Sequence, residues 1–276
     1  MSRARASLAV FTAMVIWALT FPLVKSALPL ISPLALNALR FTVAALFILP
    51  ALRGATWDEW KAGLVLGGLI AGGFAVQNVG LQYTTPSRAG FLTSLYVPLT
   101  PLVGFLVFGE RPGRRALAGV GLAAAGLALL TRPGVGGGGI NFGDLLIIAC
   151  AVAFSLQLVS VTRYARRFDL KRLLGLQVAG ASLLSVAILP LEAIHVTWTP
   201  FLFFALAVEI FGATLVCLHL QLVGQRELTS SQAAIIFAFE PVIAAAASAY
   251  FLGDHLTIMQ AAGGGLILAG MLVSGD

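Results

Sequence analysis

Long apolar runs separated by short polar stretches dominate the 276-residue chain. A helix needs about 20 mainly apolar residues to cross the hydrocarbon core of a bilayer. Ten runs of about that length can be read, and most of the loops between them are short. The pattern therefore predicts ten membrane-spanning helices with the approximate bounds 8–29, 33–52, 61–82, 87–109, 114–131, 144–165, 172–191, 200–223, 229–252 and 257–275.

The composition is that of a protein surrounded by lipid instead of water. Hydrophobic residues make up 59% of the sequence, charged residues 10%, and the mean hydropathy is +0.98. A soluble domain carries about 25% charged residues, so these proportions exclude a soluble enzyme, a secreted domain, a disordered protein and a nucleic-acid binder. We therefore expect an all-α polytopic membrane protein. The two cysteines, Cys150 and Cys217, are too few for a disulfide framework or a zinc site, and we expect neither a metal nor another cofactor.

The basic residues are distributed unevenly between the two sides of the predicted membrane protein. With the N-terminus in the cytoplasm, 13 of the 17 Lys and Arg residues fall on the cytoplasmic side. Lys25, Arg88 and Arg132 fall on the outer side, and Arg40 lies within the second span. An excess of basic residues inside is typical of membrane insertion. It predicts a multi-pass protein of the cell's inner membrane with both termini in the cytoplasm.

The second half of the chain repeats features of the first half at a shift of 144 residues. The matching segments are 80–89 with 224–233, Gly109-Glu110 with Gly253-Asp254, and Ala125-Gly126 with Ala269-Gly270. Each copy holds five predicted spans, and because five is odd the second copy must enter the membrane with the opposite orientation. Such inverted repeats are typical of secondary transporters, which bind substrate between the halves. The predicted organisation is a first repeat over 7–131, a glycine-rich linker over 132–143 and a second repeat over 144–275.

Two stretches of this repeat carry a resemblance to a known family. The first runs from Thr84 through Gly109-Glu110-Arg111-Pro112, and the second from Thr229 through Glu240-Pro241-Val242 to Gly253-Asp254-His255-Leu256-Thr257. Both resemble the repeat signature of EamA-type drug/metabolite transporters, although Asp254 stands where that family usually has Glu. The resemblance implies ten spans in two repeats and a transport activity. The chain also resembles the YddG-type branch, which implies export of aromatic amino acids.

Ionisable residues inside the predicted spans are expensive in lipid and mark candidate functional positions. Glu209 and Glu240 lie near the centres of the eighth and ninth spans. Either could carry a proton, meet a substrate ammonium or serve as a structural carboxylate. His219 is a third candidate for proton coupling, with a hydrogen-bonded core histidine as the alternative. Arg40 requires a partner, which could be a substrate carboxylate or an ion pair with Glu209 or Glu240.

Further polar and aromatic side chains inside the spans are candidates for a substrate site. Aromatic rings suit a pocket for an aromatic or aliphatic side chain, although rings in a membrane protein also pack between helices or face lipid. Pro22, Pro98, Pro101 and Pro241 interrupt spans, and helix breaks tend to lie beside transporter binding sites. The predicted substrate-binding residues are Trp17, Phe21, Asn37, Arg40, Gln77, Asn78, Tyr96 and Phe237.

A polytopic membrane protein with this pattern could be an enzyme, a channel or a secondary transporter. A polytopic membrane enzyme would need a cluster of His, Asp or Glu at one membrane face, whereas the three histidines are scattered along the sequence. A channel would usually be a symmetric oligomer. The sequence contains no Gly-x-x-x-x-Gly-Lys-Ser/Thr loop for ATP phosphates. We therefore expect a secondary transporter, not an enzyme, that exports aromatic or apolar amino acids or related small metabolites by alternating access.

Other branches of the same superfamily supply alternative substrates, namely nucleotide sugars, phosphorylated metabolites and drugs. Phosphorylated substrates require several inward-facing basic residues, and the spans offer only Arg40 at depth. The expected partners are a small-molecule substrate and the lipid bilayer, with protons as the candidate coupling ion. A monomer is expected, with a dimer as the alternative.

Overall fold

The computed structural model describes residues 1–109, 113–131 and 139–274, and the regular structure of this part is helical. The helices are α1 (Arg3–Ala27), α2 (Pro33–Ile48), α3 (Trp57–Tyr83), α4 (Pro86–Thr93), α5 (Tyr96–Phe108), α6 (Arg114–Leu130), α7 (Phe142–Arg167), α8 (Leu170–Ile188), α9 (Pro200–Ala207), α10 (Cys217–Glu227), α11 (Ser230–Phe237), α12 (Glu240–Leu252) and α13 (Ile258–Ser274). A π-helical segment, Val208–Val216, joins α9 to α10. The Glu110-Arg111-Pro112 motif, residues 132–138 of the predicted linker and residues 275–276 lie outside the described residues.

Several helix ends coincide with residues that favour them. Pro33, Pro86 and Pro200 occupy the first turns of α2, α4 and α9, where the missing proline N–H costs no hydrogen bond. Gly109 and Gly253 end α5 and α12 with φ angles of 74° and 64°, a left-handed conformation that glycine adopts without strain. Local sequence therefore determines these boundaries.

Eight helical segments of the described part are long and apolar enough to cross a membrane. They are Arg3–Ala27, Pro33–Leu52, Trp57–Tyr83, Pro86–Val107, Phe142–Arg167, Leu170–Leu191, Pro200–Glu227 and Ser230–Leu252. The other two predicted spans, 114–131 and 257–275, form the 17-residue helices α6 and α13. A helix of that length extends about 25 Å, which is less than the hydrocarbon core of about 30 Å. The structure thus has eight candidate spans and a shorter apolar helix, Ile258–Val273, where ten spans were expected.

The ends of three helices in the first half recur in the second half after 144 residues. Adding 144 to the bounds of α4, α5 and α6 gives the bounds of α11, α12 and α13 at all six ends. The shift that the sequence indicated from a few motifs therefore applies to whole helices in this part of the fold.

Helices α6 and α13 approach closely at two equivalent positions, where a glycine of one helix lies against a backbone carbonyl of the other. A Cβ built on Gly126 would lie 2.6 Å from the carbonyl oxygen of Gly263, and one built on Gly270 would lie 2.5 Å from that of Gly119. Gly263 and Gly270 are the residues 144 positions after Gly119 and Gly126. The two helices are therefore antiparallel, and small residues allow their backbones to touch at both positions.

Close approach of backbones also joins α3 to α8 in the interior. A Cβ on Gly67 would lie 2.4 Å from the carbonyl oxygen of Gln177, and one on Gly63 would overlap Leu176. Cys150 and Cys217 are free thiols and both are buried, where cysteine packs as a small hydrophobic residue.

Candidate functional site

A cavity of about 40 Å³ lies in the interior between both halves of the chain. It is lined by Trp17, Thr20, Phe21, Ile70, Phe74, Gln77, Tyr96, Phe154, Gln157, Leu158, Gln221, Phe237 and Glu240. Helices α1, α3 and α5 of the first half contribute seven of these residues, and α7, α10, α11 and α12 of the second half contribute six. A cavity of this size holds a few water molecules, whereas small-molecule sites occupy about 300 Å³ or more. The cavity must therefore widen to bind a solute.

Glu240 is the acidic group of this cavity. Among the described residues that line it, Glu240 is the one carboxylate and none is Lys or Arg. Its side chain is buried, and the Tyr96 hydroxyl donates a hydrogen bond of 2.9 Å to Glu240 Oε2. Tyr96 begins α5 and Glu240 begins α12, so the two occupy the same position in the two halves. This bond therefore links the halves across the cavity.

Three glutamine amides and the Thr20 hydroxyl are neutral polar groups of the lining. Gln77 Nε2 donates to Thr93 Oγ1 at 3.0 Å. Gln157 and Gln221 form a reciprocal pair, in which each Nε2 donates to the other's Oε1 at 3.0 and 3.1 Å. Gln77 and Gln221 are again 144 residues apart. Equivalent positions of the two halves thus face the same cavity.

Aromatic rings form the apolar wall. The contacts connect into one chain of rings, with centroid distances of 5.8 Å for Trp17–Phe237, 6.0 Å for Tyr96–Phe237, 6.4 Å for Tyr96–Phe154 and 5.1 Å for Phe74–Phe154. Such rings provide a large apolar surface with specific packing geometry. The wall is suited to an apolar or aromatic group of a bound molecule.

Arg40 and Glu209 lie outside this lining and bind each other. Arg40 Nη1 is 2.6 Å from Glu209 Oε2, and both side chains are almost fully buried at 2% and 1% exposure. Arg40 Nε also donates to Thr214 Oγ1 at 2.6 Å. The guanidinium carbon lies 4.1 Å from the centroid of the Phe74 ring, which itself lines the cavity. Of the partners that the sequence left open for Arg40, the structure has Glu209.

The π-helical segment leaves the Ala213 carbonyl oxygen available to accept hydrogen bonds from the side chains of Trp17 and Arg40. In an α-helix the Ala213 carbonyl would accept the Cys217 N–H, but here that N–H bonds to Gly212 and Thr214. The Ala213 oxygen instead accepts Trp17 Nε1 at 2.8 Å and Arg40 Nη2 at 3.2 Å. The π-helical segment therefore orients both a cavity residue and the ion pair, in keeping with the frequent occurrence of such segments at functional sites.

The structure brings part of the predicted site together. Trp17, Phe21, Gln77, Tyr96 and Phe237 line the cavity beside Glu240. The other predicted residues lie elsewhere in the described structure.

Asn37 Nδ2 donates to the Ala71 carbonyl at 3.1 Å and to Ser185 Oγ at 3.0 Å, so it ties α2 to α3 and α8 away from the cavity. Asn78 and Arg40 line a smaller neighbouring space of about 10 Å³. His219 lies on the exposed face of α10.

Sequence reasoning missed several residues of the lining. Gln157 has the same signal as Gln77, a polar amide inside an apolar run, and could have been found by it. Phe74 and Phe154 could not, because eighteen phenylalanines are spread through the chain and no motif sets these two apart. Gln221 is marked by its position 144 residues after Gln77.

Near each end of the helix bundle a cationic side chain donates hydrogen bonds to carbonyl groups. At one end Lys25 Nζ donates to the carbonyl oxygens of Leu81 and Thr84. At the other end Arg166 Nη2 donates to Leu228 at 3.0 Å, and Leu228 is 144 residues after Thr84. Asp254 Oδ2 additionally accepts the Ser87 N–H at 3.0 Å, which joins the two halves beside Lys25.

No group of three or more His, Cys, Asp or Glu side chains that could hold a metal ion occurs within residues 1–109, 113–131 and 139–274. The lining residues offer one carboxylate, amides, hydroxyl groups and aromatic rings for contacts with a bound molecule.

Comparison with known proteins gives a family. A family model described as "EamA-like transporter family" matches residues 4–132 and again residues 141–275. An "uncharacterized transporter" of Archaeoglobus fulgidus is 37% identical over 260 residues, which cover 94% of this chain and 82% of that protein.

Two further relatives have more specific names. The "aromatic amino acid exporter YddG" of Ancylobacter novellus is 32% identical over 181 residues, covering 60% of this chain and 61% of that protein. A "probable amino-acid metabolite efflux pump" of Salmonella typhimurium is 28% identical over 285 residues, covering 94% of this chain and 91% of that protein.

Proposed function

Because the chain belongs to the EamA-like transporter family, we propose that it exports amino acids with aromatic or apolar side chains by alternating access. Family membership and the candidate spans make it a multi-pass membrane transporter of the drug/metabolite transporter superfamily. Two relatives, one named an aromatic amino acid exporter and the other a probable amino-acid metabolite efflux pump, support this choice.

The observation that carries the proposal is the position of Glu240 in an aromatic cavity. The carboxylate provides a counter-ion for a substrate ammonium, and the Trp17, Phe237 and Phe154 rings provide a surface for an apolar side chain. Transporters with internal repeats bind substrate between the repeats. The pairs Tyr96–Glu240 and Gln77–Gln221 supply equivalent positions of both halves to this cavity.

Alternating access requires the two halves to rock against each other, which an inverted repeat allows. We propose that the protein crosses the inner membrane ten times, with both termini in the cytoplasm and with α6 and α13 as short crossings. Their antiparallel contact and the 144-residue offset support an inverted arrangement. Glu240 is the proposed proton carrier, because Glu209 is already paired with Arg40.

Phosphorylated metabolites and nucleotide sugars are the alternative substrates. Phosphate groups require cationic or several charge-assisted donors, and the described lining contains neither Lys nor Arg. The guanidinium of Arg40 is engaged by Glu209, Thr214 and the Ala213 carbonyl. The geometry therefore favours amino acids.

Competition for uptake of labelled L-phenylalanine into proteoliposomes tests the proposal. Burial of an apolar side chain contributes about 25 cal/mol per Å², so tryptophan should compete more strongly than glycine or aspartate by roughly ten- to a hundredfold. Inhibition by a nucleotide sugar, with no inhibition by tryptophan, would show that the assignment is wrong.

A further inference from the structure

The Gln157–Gln221 pair has no part in the ammonium and ring contacts proposed above. Gln157 lies on α7 and Gln221 on α10, and both side chains are buried at 2% and 3% exposure. The two reciprocal hydrogen bonds use one N–H and the oxygen of each amide. Their partners must change if the cavity widens between α7 and α10.

An amino acid brings a carboxylate into the cavity, and a buried carboxylate needs hydrogen-bond donors. Most donors of the lining are already used. Trp17 Nε1 donates to the Ala213 carbonyl, Tyr96 Oη to Glu240 and Thr20 Oγ1 to the Trp17 carbonyl. Each of these groups has a single hydrogen to donate, so none is free for a substrate.

The amides differ because each NH2 group has two hydrogens. Gln157 and Gln221 bind only each other's oxygen in this network, so a carboxylate that enters between them can accept an N–H from each. Such charge-assisted hydrogen bonds are about twice as strong as the neutral ones they replace. We propose that the Gln157–Gln221 pair opens to bind the carboxylate of a zwitterionic substrate, whose ammonium faces Glu240.

This inference rests on the proposed amino-acid substrate and makes it more specific. Because the pair joins α7 to α10, opening it separates the two helices at the wall of the cavity, which must widen in any case. Neutral amides also hold a carboxylate less tightly than a cation would, so release remains possible. The protein should therefore distinguish amino acids from amines that lack the carboxylate.

The experiment compares two ligands that share the phenyl ring and ammonium. Dissociation constants for L-phenylalanine and for phenethylamine are measured on the purified full-length protein in detergent. The test variant is the double substitution Gln157→Leu/Gln221→Leu, which removes both partners together and leaves no lone buried amide. The matched control is Gln177→Leu on α8, a fully buried glutamine that lies outside the cavity lining.

The wild type and the Gln177→Leu control should bind phenylalanine about ten- to a hundredfold more tightly than the double variant does. Affinity for phenethylamine should change less than twofold. If the double substitution changed the dissociation constants of both ligands equally, or changed neither, the proposed role of the pair would be overturned.

A second variant, Gln221→Glu, covers the case in which the double variant does not fold. It keeps the size of the side chain and adds a negative charge, so it should weaken phenylalanine binding at least tenfold more than phenethylamine binding. Equal weakening would overturn the inference. If the wild type binds neither ligand, the amino-acid assignment itself fails, whereas binding of both with no preference defeats only the role of the pair.

Discussion

Tyr96 and Glu240 occupy the same position in the two halves of the chain, 144 residues apart, and their side chains share a hydrogen bond of 2.9 Å. The two halves therefore meet at a phenol on one side and a carboxylate on the other. This bond positions Glu240 in the cavity lining, and a substrate ammonium would compete for the same carboxylate.

Replacing Tyr96 by Phe should lower stability and alter transport. The ring remains in the aromatic wall, but a buried carboxylate loses its donor, which costs about 1–3 kcal/mol. The melting temperature in detergent should fall, and phenylalanine uptake should change with it. The control is Tyr83→Phe, since Tyr83 is 55% exposed at the end of α3 and lies outside the lining. Equal melting temperatures for wild type and Tyr96→Phe would contradict the assigned bond.

The Arg40–Glu209 ion pair should be structural. Glu209→Gln leaves the buried guanidinium without its counter-charge, which costs about 3–5 kcal/mol when one partner of a buried pair is removed. Replacing both residues, Arg40→Met with Glu209→Leu, should recover much of that loss, because well-packed apolar residues often substitute for a buried pair. Thermal unfolding of the three proteins measures this. A double variant as unstable as Glu209→Gln would refute the pairing.

The α6–α13 contact should tolerate no added methyl group at either of its two equivalent positions. Gly126→Ala and Gly270→Ala would each place a Cβ within 2.6 Å or less of a backbone oxygen, at a cost of about 1–3 kcal/mol. Gly121 and Gly265 are the matched controls, because they lie on the same helices, 144 residues apart, with open space around them.

Alanine at Gly121 or Gly265 should raise helix stability by up to about 1 kcal/mol. Gly126→Ala and Gly270→Ala should lower the melting temperature by similar amounts, whereas the two control variants should not lower it. A loss at one of the two positions only would contradict the symmetric contact.

Single cysteines on either side of α6 should report whether this short helix crosses the membrane. In a background with Cys150 and Cys217 replaced by Ala, Ile140→Cys should react with an impermeant thiol reagent in intact cells. Gly113→Cys and Lys171→Cys should react only after lysis. Ile140 is 52% exposed, and the other two positions are also exposed. Labelling of Gly113→Cys and Ile140→Cys from the same side would contradict ten crossings.

The sequence predicts the helices far better than the contacts between them. Every helix of the described residues overlaps one of the predicted apolar runs, although 87–109 and 229–252 are each two helices in the structure. The positions of Glu240 and Gln77 within their apolar runs are enough to mark both as candidate site residues. The same criterion could not choose between Glu209 and Glu240 as the partner of Arg40, since both lie at mid-span. That choice depends on how α2 meets the Val208–Val216 segment, which is a property of packing.

The sequence also does not predict the short length of α6 and α13 or the π-helical segment. The sequence at 114–131 is apolar enough to suggest a full span, but its helix has 17 residues. Nothing in 208–216 marks a π-helix, because its hydrogen-bond pattern is stabilised by the tertiary contacts of Ala213 with Trp17 and Arg40. The 144-residue offset, in contrast, makes Tyr96 and Glu240 equivalent positions from the sequence alone.

Counterflow of labelled L-phenylalanine in proteoliposomes, with wild type and Glu240→Gln compared side by side, tests the central claim most directly. Glu240 is not paired with a cation among the described residues, so the Gln variant should fold with a melting temperature close to that of the wild type. We expect phenylalanine exchange by the wild type and at least a tenfold lower rate for the variant. Exchange by folded Glu240→Gln at the wild-type rate would contradict the proposed role of Glu240 in transport.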